Sequence, residues 1–60
     1  MKDLEVVKLI SEGYRQKEIA VILKSPHVSI ETYITRMKAR HGAKSMAHLV
    51  TIFWRKGLLK

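Results

Sequence analysis

Cysteine is absent from this 60-residue chain, which excludes disulfide staples and thiolate metal sites. Long apolar runs are absent too. The longest spans five residues, Ile19 to Leu23, whereas a membrane helix needs about 20. No basic segment followed by an apolar stretch opens the chain, so no signal peptide is read. These absences point to a soluble, cytoplasmic protein with no membrane partner. There is no GxSxG, no P-loop and no pair of carboxylates at catalytic spacing. A chain this short also offers no pocket of ordinary size. Neither an enzyme, nor a cofactor, nor a small-molecule ligand is expected.

Acidic side chains are scarce, five against twelve Lys and Arg, for a net charge of +7. The excess is lopsided. Residues 1–30 carry five basic and four acidic groups, whereas residues 31–60 carry seven basic and one acidic. A polyanionic partner fits this balance, and so does a basic face that serves solubility. The length allows one domain, residues 1–60, with a core small enough to gain from self-association or a ligand.

With glycine and proline this rare, Gly13, Pro26, Gly42 and Gly57 are the punctuation. Between them apolar residues recur at helical spacing, and no strand-like alternation or repeat is present. The first helix is expected over 2–12, with Val6, Val7, Leu9 and Ile10 inward and Gly13 as its stop. The second spans 15–23, with Ile19, Ala20 and Leu23 inward. Lys24 to His27 form the break, since Pro26 disfavours helical angles at Ser25. The third runs from about Ser29 to His41, capped by the Ser29 hydroxyl. Its inward stripe is Ile30, Ile34 and Met37, extended by His41; Thr32, Thr35, Arg36 and Ala39 face outward. Gly42 ends it. The fourth covers 46–56, capped by Ser45 and closed by Gly57. The architecture expected is all-α, a four-helix helix-turn-helix domain with the third helix in the recognition position.

Four segments carry a family signature. They are Glu5-Val6-Val7-Lys8-Leu9-Ile10-Ser11-Glu12-Gly13, Lys17-Glu18-Ile19-Ala20 with Leu23, Ser29-Ile30-Glu31-Thr32-Tyr33-Ile34-Thr35-Arg36-Met37, and Gly42-Ala43-Lys44-Ser45 followed by Leu49-Val50 and Gly57-Leu58. In register and without a gap, they resemble the LuxR/FixJ/GerE-type DNA-binding domain of bacterial transcription regulators. The resemblance implies sequence-specific binding of double-stranded DNA through the third helix. It implies positions 31, 32 and 35 as the usual base readers, and a dimer contact through the fourth helix. The family usually attaches a sensor domain; within these residues none is found, so a regulator acting without one is the expectation. Glu31 stands where a basic residue is frequent, Tyr33 where histidine is usual, and Val21 and Ile22 where charged residues are usual.

A helix fits the major groove, and only its outward side chains reach base edges. Glu31, Thr32, Thr35 and Arg36 are the candidate base readers. Arg36 can grip guanine or touch phosphate. Glu31 can accept from cytosine N4, or it can serve the helix dipole at the amino-terminal end. Arg15, Gln16, Lys17, Ser29, Tyr33, Lys38, Arg40 and Lys44 are candidate phosphate contacts, with a structural role open for Tyr33. Lys24, Lys56 and Lys60 read as solvated. Met46, Val50, Phe53 and Trp54 are candidates for a homodimer interface, with a core role open for Trp54. Val21 and Ile22 offer a further surface, for instance toward RNA polymerase. His27, His41 and His48 lack companions at metal-ligand spacing, so no metal is expected; His41 suits the helix dipole at the carboxyl end of the third helix. The alternatives are a protein-interaction module retaining the fold and a non-specific nucleic-acid binder.

Overall fold

Helical periodicity resolves into four helices in the computed structural model, which describes residues 2–59. They are α1 (Asp3–Ser11), α2 (Gln16–Ile22), α3 (His27–His41) and α4 (Met46–Arg55). Lys60 lies outside the described residues. Each helix packs on two others, α1 on α4 and α2, α3 on α2 and α4, so the four close a ring around one core. That core holds Val6 and Val7 of α1, Ile19 and Ala20 of α2, Ile30, Ile34 and Met37 of α3, and Leu49 and Phe53 of α4, sealed by Leu59. Truncating one such Ile or Leu to alanine costs about 2–5 kcal/mol. That is a large part of the roughly 5–15 kcal/mol a domain has in total.

α3 starts two residues earlier than expected. Pro26, not Ser29, is the cap residue (φ −59°, ψ 145°). The restraint that proline imposes falls on the residue before it, and its own missing N–H is one the first turn leaves unpaired anyway. The Ser29 amide already donates to the Pro26 carbonyl at 3.0 Å, so Ser29 sits inside the first turn.

All four helices stop the same way. In each, two amides beyond the last turn reach back to carbonyls of that turn, the six-to-one and five-to-two pair of a Schellman ending. The pairs are Tyr14 to Leu9 and Gly13 to Ile10, Ser25 to Ala20 and Lys24 to Val21, Ala43 to Lys38 and Gly42 to Ala39, and Leu58 to Phe53 and Gly57 to Trp54. Three endings place glycine in the left-handed conformation; the α2 ending places Lys24 there, at φ 54°. Starts are capped differently. Ser45 Oγ accepts from the His48 amide at 3.0 Å while the His48 ring accepts from the Lys44 amide at 3.0 Å. At α2, the Arg15 amide donates to Glu18 Oε1 at 2.8 Å. These caps satisfy backbone donors that a helix start otherwise leaves open.

Candidate nucleic-acid interface

The outer side of α3 is open. Val28, Ser29, Glu31, Thr32, Thr35, Arg36, Ala39 and Arg40 are exposed, opposite buried Ile30, Ile34 and Met37. Toward its start, Val28, Ser29, Thr32, Tyr33 and Arg36 line a shallow depression of about 300 Å³. Of the other expected phosphate contacts, Arg15, Lys17 and Lys44 are exposed and Lys38 is half-buried. Gln16 is half-buried as well, and its amide donates to Met46 Sδ at 3.4 Å, tying the start of α2 to α4.

For three side chains the structure narrows or overturns the reading: the dipole role falls for Glu31, the structural role is the one Tyr33 takes, and Phe53 is interior. Glu31 lies beyond the first turn of α3, because that helix begins at His27. It therefore does not serve the amino-terminal end of the dipole, and instead meets His27 Nε2 one turn back at 3.3 Å. Tyr33 was a candidate phosphate donor. Its hydroxyl donates to Asp3 Oδ1 at 2.5 Å, which commits its one proton inside the chain. Phe53 was a candidate dimer anchor. It is 2% exposed, in the core, with its ring edge-on to that of His41 at 4.9 Å.

Asp3 gathers the far half of α3. Besides Tyr33, it meets His41 Nε2 at 2.9 Å and Arg40 Nη2 at 3.5 Å. Partial burial alone would raise the carboxyl pKa. The hydrogen bonds from Tyr33 and His41 and the Arg40 charge outweigh it, and the group lies below its ordinary value. Burial, then the bond to Asp3 and its negative charge, push the Tyr33 phenol up to about 12. The phenol is therefore a neutral donor at any physiological pH. Contacts between residues 30 to 38 positions apart leave no trace in local spacing, which is why this cluster was not read from the chain.

Elsewhere, α1 and α4 leave a groove of about 560 Å³ lined by the apolar Leu4, Val50, Trp54, Leu58 and Leu59 together with Lys8, Ser11, Glu12 and Thr51. Trp54 is 61% exposed, and Leu4 and Leu58 are also open to solvent. Of the four expected interface residues, Val50 and Trp54 share this groove. Met46 leans on the core and receives Gln16, and Phe53 is interior. Leu4 and Leu58 are the extra contributors; Leu58 joins the groove only after the chain reverses at Gly57, beyond the end of α4. Among the described residues no helix is long and apolar enough to cross a membrane.

Comparison with known proteins supplies independent support. Residues 1–53 match the family described as bacterial regulatory proteins, luxR family. Over 57 residues the chain is 33% identical to the response regulator Rre1 of Synechocystis sp., covering 95% of this chain and 25% of that protein. The chain thus spans about a quarter of the length of this curated relative. No solved structure gives a significant match.

Proposed function

The chain belongs to the luxR family of bacterial regulatory proteins, DNA-binding regulators of transcription, and from that premise we propose that it reads a specific duplex sequence by laying α3 in the major groove. The observation that carries this reading is the outer side of α3. It is exposed along its length, rich in small polar side chains, and continues into the cations Arg36, Arg40 and Lys44. Thr32, Thr35 and Arg36 are the proposed base readers. Glu31 stands at the edge of the same face with one oxygen on His27, leaving the other to accept from cytosine N4. Arg15, Lys17, Ser29, Lys38, Arg40 and Lys44 are the proposed phosphate contacts, with Gln16 positioning the start of α2. Such contacts set register without carrying sequence information.

A homodimer through α4 completes the proposal. Trp54, Leu4 and Leu58 form an exposed apolar surface that meets the core margin at Val50 and Leu59. A two-fold pair would present two α3 helices to half-sites related by symmetry. Val21, 78% exposed beside Ile22, supports a further contact surface on α2, with RNA polymerase as the proposed partner.

The test is selection of bound duplexes from a random pool. A specific binder discriminates its site over random duplex by about 10³–10⁷, and the enriched sequence should contain two inverted half-sites. Binding that shows no enrichment and only a steep decline with salt would mean charge-driven coating and would end the proposal.

A further inference from the structure

Because α3 begins at His27, Val28 becomes part of the outer face, and its side chain has no task in the fold. It is 70% exposed and belongs neither to the core nor to the side chains packed against it. At about 100° per residue, Val28, Thr32, Thr35 and Ala39 fall within about 60° of one another, opposite the buried stripe. Charged and hydroxyl groups flank them. His27 and Glu31 pair along one edge, and Ser29 and Arg36 stand along the other, where with Val28 and Thr32 they line the depression already described. The centre of the face thus carries methyl-bearing side chains, two of them threonines that also bring a hydroxyl. Two methyls belong to Val28 and one each to Thr32, Thr35 and Ala39, and the cations lie beside and beyond them.

We propose that Val28 is a specificity-determining residue that reads the C5 methyl group of thymine. The inference rests on the DNA reading of α3 given above. Residues near the start of a recognition helix are those that meet base edges, and Val28 is the second residue of α3. The only apolar feature on the major-groove edge of a base pair is the thymine methyl. Against any other edge, the Val28 isopropyl group would strip water from a donor or acceptor and return no hydrogen bond, a net cost. Against thymine it buries methyl on methyl. Preference at this position therefore has an attractive part and a repulsive part. Arg36, about two turns along, supplies the charge that brings this face against the polyanion. Thr32, one turn along, can bond or pack on the neighbouring base. Glu31, the one carboxylate on the described outer face of α3, stands at its edge within 3.3 Å of His27 Nε2 and away from the central line of Val28, Thr32, Thr35 and Ala39.

The experiment uses the intact chain and the duplex recovered by selection, with each thymine replaced in turn by uracil, which lacks only the methyl. One methyl buried is worth about fourfold in affinity. For the unaltered chain, one thymine per half-site should therefore show a loss of about fourfold on replacement. Val28→Ser should bind thymine and uracil duplexes equally at that position. Val28→Thr, which keeps one methyl and the branched shape, should give an intermediate ratio. Helicity and Tm of both variants should be unchanged, because the side chain is exposed. If a site is recovered but no thymine shows the loss, or the loss is the same in Val28→Ser, the role of Val28 is overturned and the DNA reading survives. If no duplex is enriched, both fall together.

Discussion

Asp3 and Lys24 are the two residues whose conformation asks most of the surrounding chain. Asp3 holds Tyr33, Arg40 and His41 on one carboxylate, so losing its charge weakens three contacts at once. Asp3→Asn should lower stability by about 1.5–3 kcal/mol at neutral pH, the scale of hydrogen bonds to a charged group. Because the folded carboxyl lies below its ordinary value of 3.8, its contribution is present above that value and fades as pH falls through the folded value. Denaturation curves of the two proteins should therefore converge in acid; a gap that persisted there would show that the charge is not what matters. Tyr33 acts in the opposite direction. Its raised value favours the fold fully below pH 10, and the benefit is lost as pH climbs toward about 12. Lys24 takes the left-handed conformation at φ 54°, which costs a side chain with a Cβ about 1–2 kcal/mol. Glycine avoids that cost but has more freedom to lose on folding. Lys24→Gly should therefore raise stability by about 0.5–1 kcal/mol, read as a higher denaturation midpoint. An unchanged or lowered midpoint would mean the lysine side chain has a compensating contact.

At the scale of elements, the helices were legible in the chain because each buries one stripe. Ile30, Ile34 and Met37 are spaced so that one side of α3 must be interior, and Thr32, Thr35 and Arg36 then face out. That inference needs only the helical period. The start of α3 was misplaced because the break was read as running past Pro26 to His27, whereas the proline opens the helix. The two residues so recovered include Val28, absent from the candidate site for that reason alone. All four endings were legible, three from glycine and the second from the break beginning at Lys24, but that this lysine itself takes the left-handed conformation was not readable. Leu59 was missed for a related reason: it reaches the core only after the chain reverses at Gly57, beyond the last helical period. If α3 is the reading element, Thr35→Ala with Arg36→Ala should remove about 1–3 kcal/mol of discrimination between the selected site and random duplex, with circular dichroism unchanged. Equal specificity in the double variant would take α3 out of that role.

For the whole molecule, the outer side of α3 and the α1–α4 groove lie on different helices, and each has its own chemistry. α3 offers hydroxyls, methyls and cations; the α1–α4 groove offers Leu4, Val50, Trp54 and Leu58. Trp54 is mostly outside the core, so its removal should cost little folding stability. At the centre of a dimer interface, the same truncation costs about 2 kcal/mol or more of association. Trp54→Ala should therefore sediment as a monomer at concentrations where the unaltered chain is a dimer, with Tm nearly the same when both are measured as monomers. Equal mass in the two proteins would remove α4 from the interface. Which surface takes which partner was readable from composition only in outline. The charge of residues 31–60 pointed to a polyanion, but the apolar groove is assembled from both ends of the chain and exists only after folding.

The tie between Asp3 and the distal turns of α3 also has a mechanical meaning. Asp3 is anchored to the distal turns of α3, so whatever is spliced ahead of it is coupled through that carboxylate to the helix proposed to read DNA. A stiff junction there would strain the Asp3 contacts with Tyr33, Arg40 and His41, while a slack one would spare them. For tags and fusions alike, the compliance of the first few added residues is thus a design variable for how α3 sits.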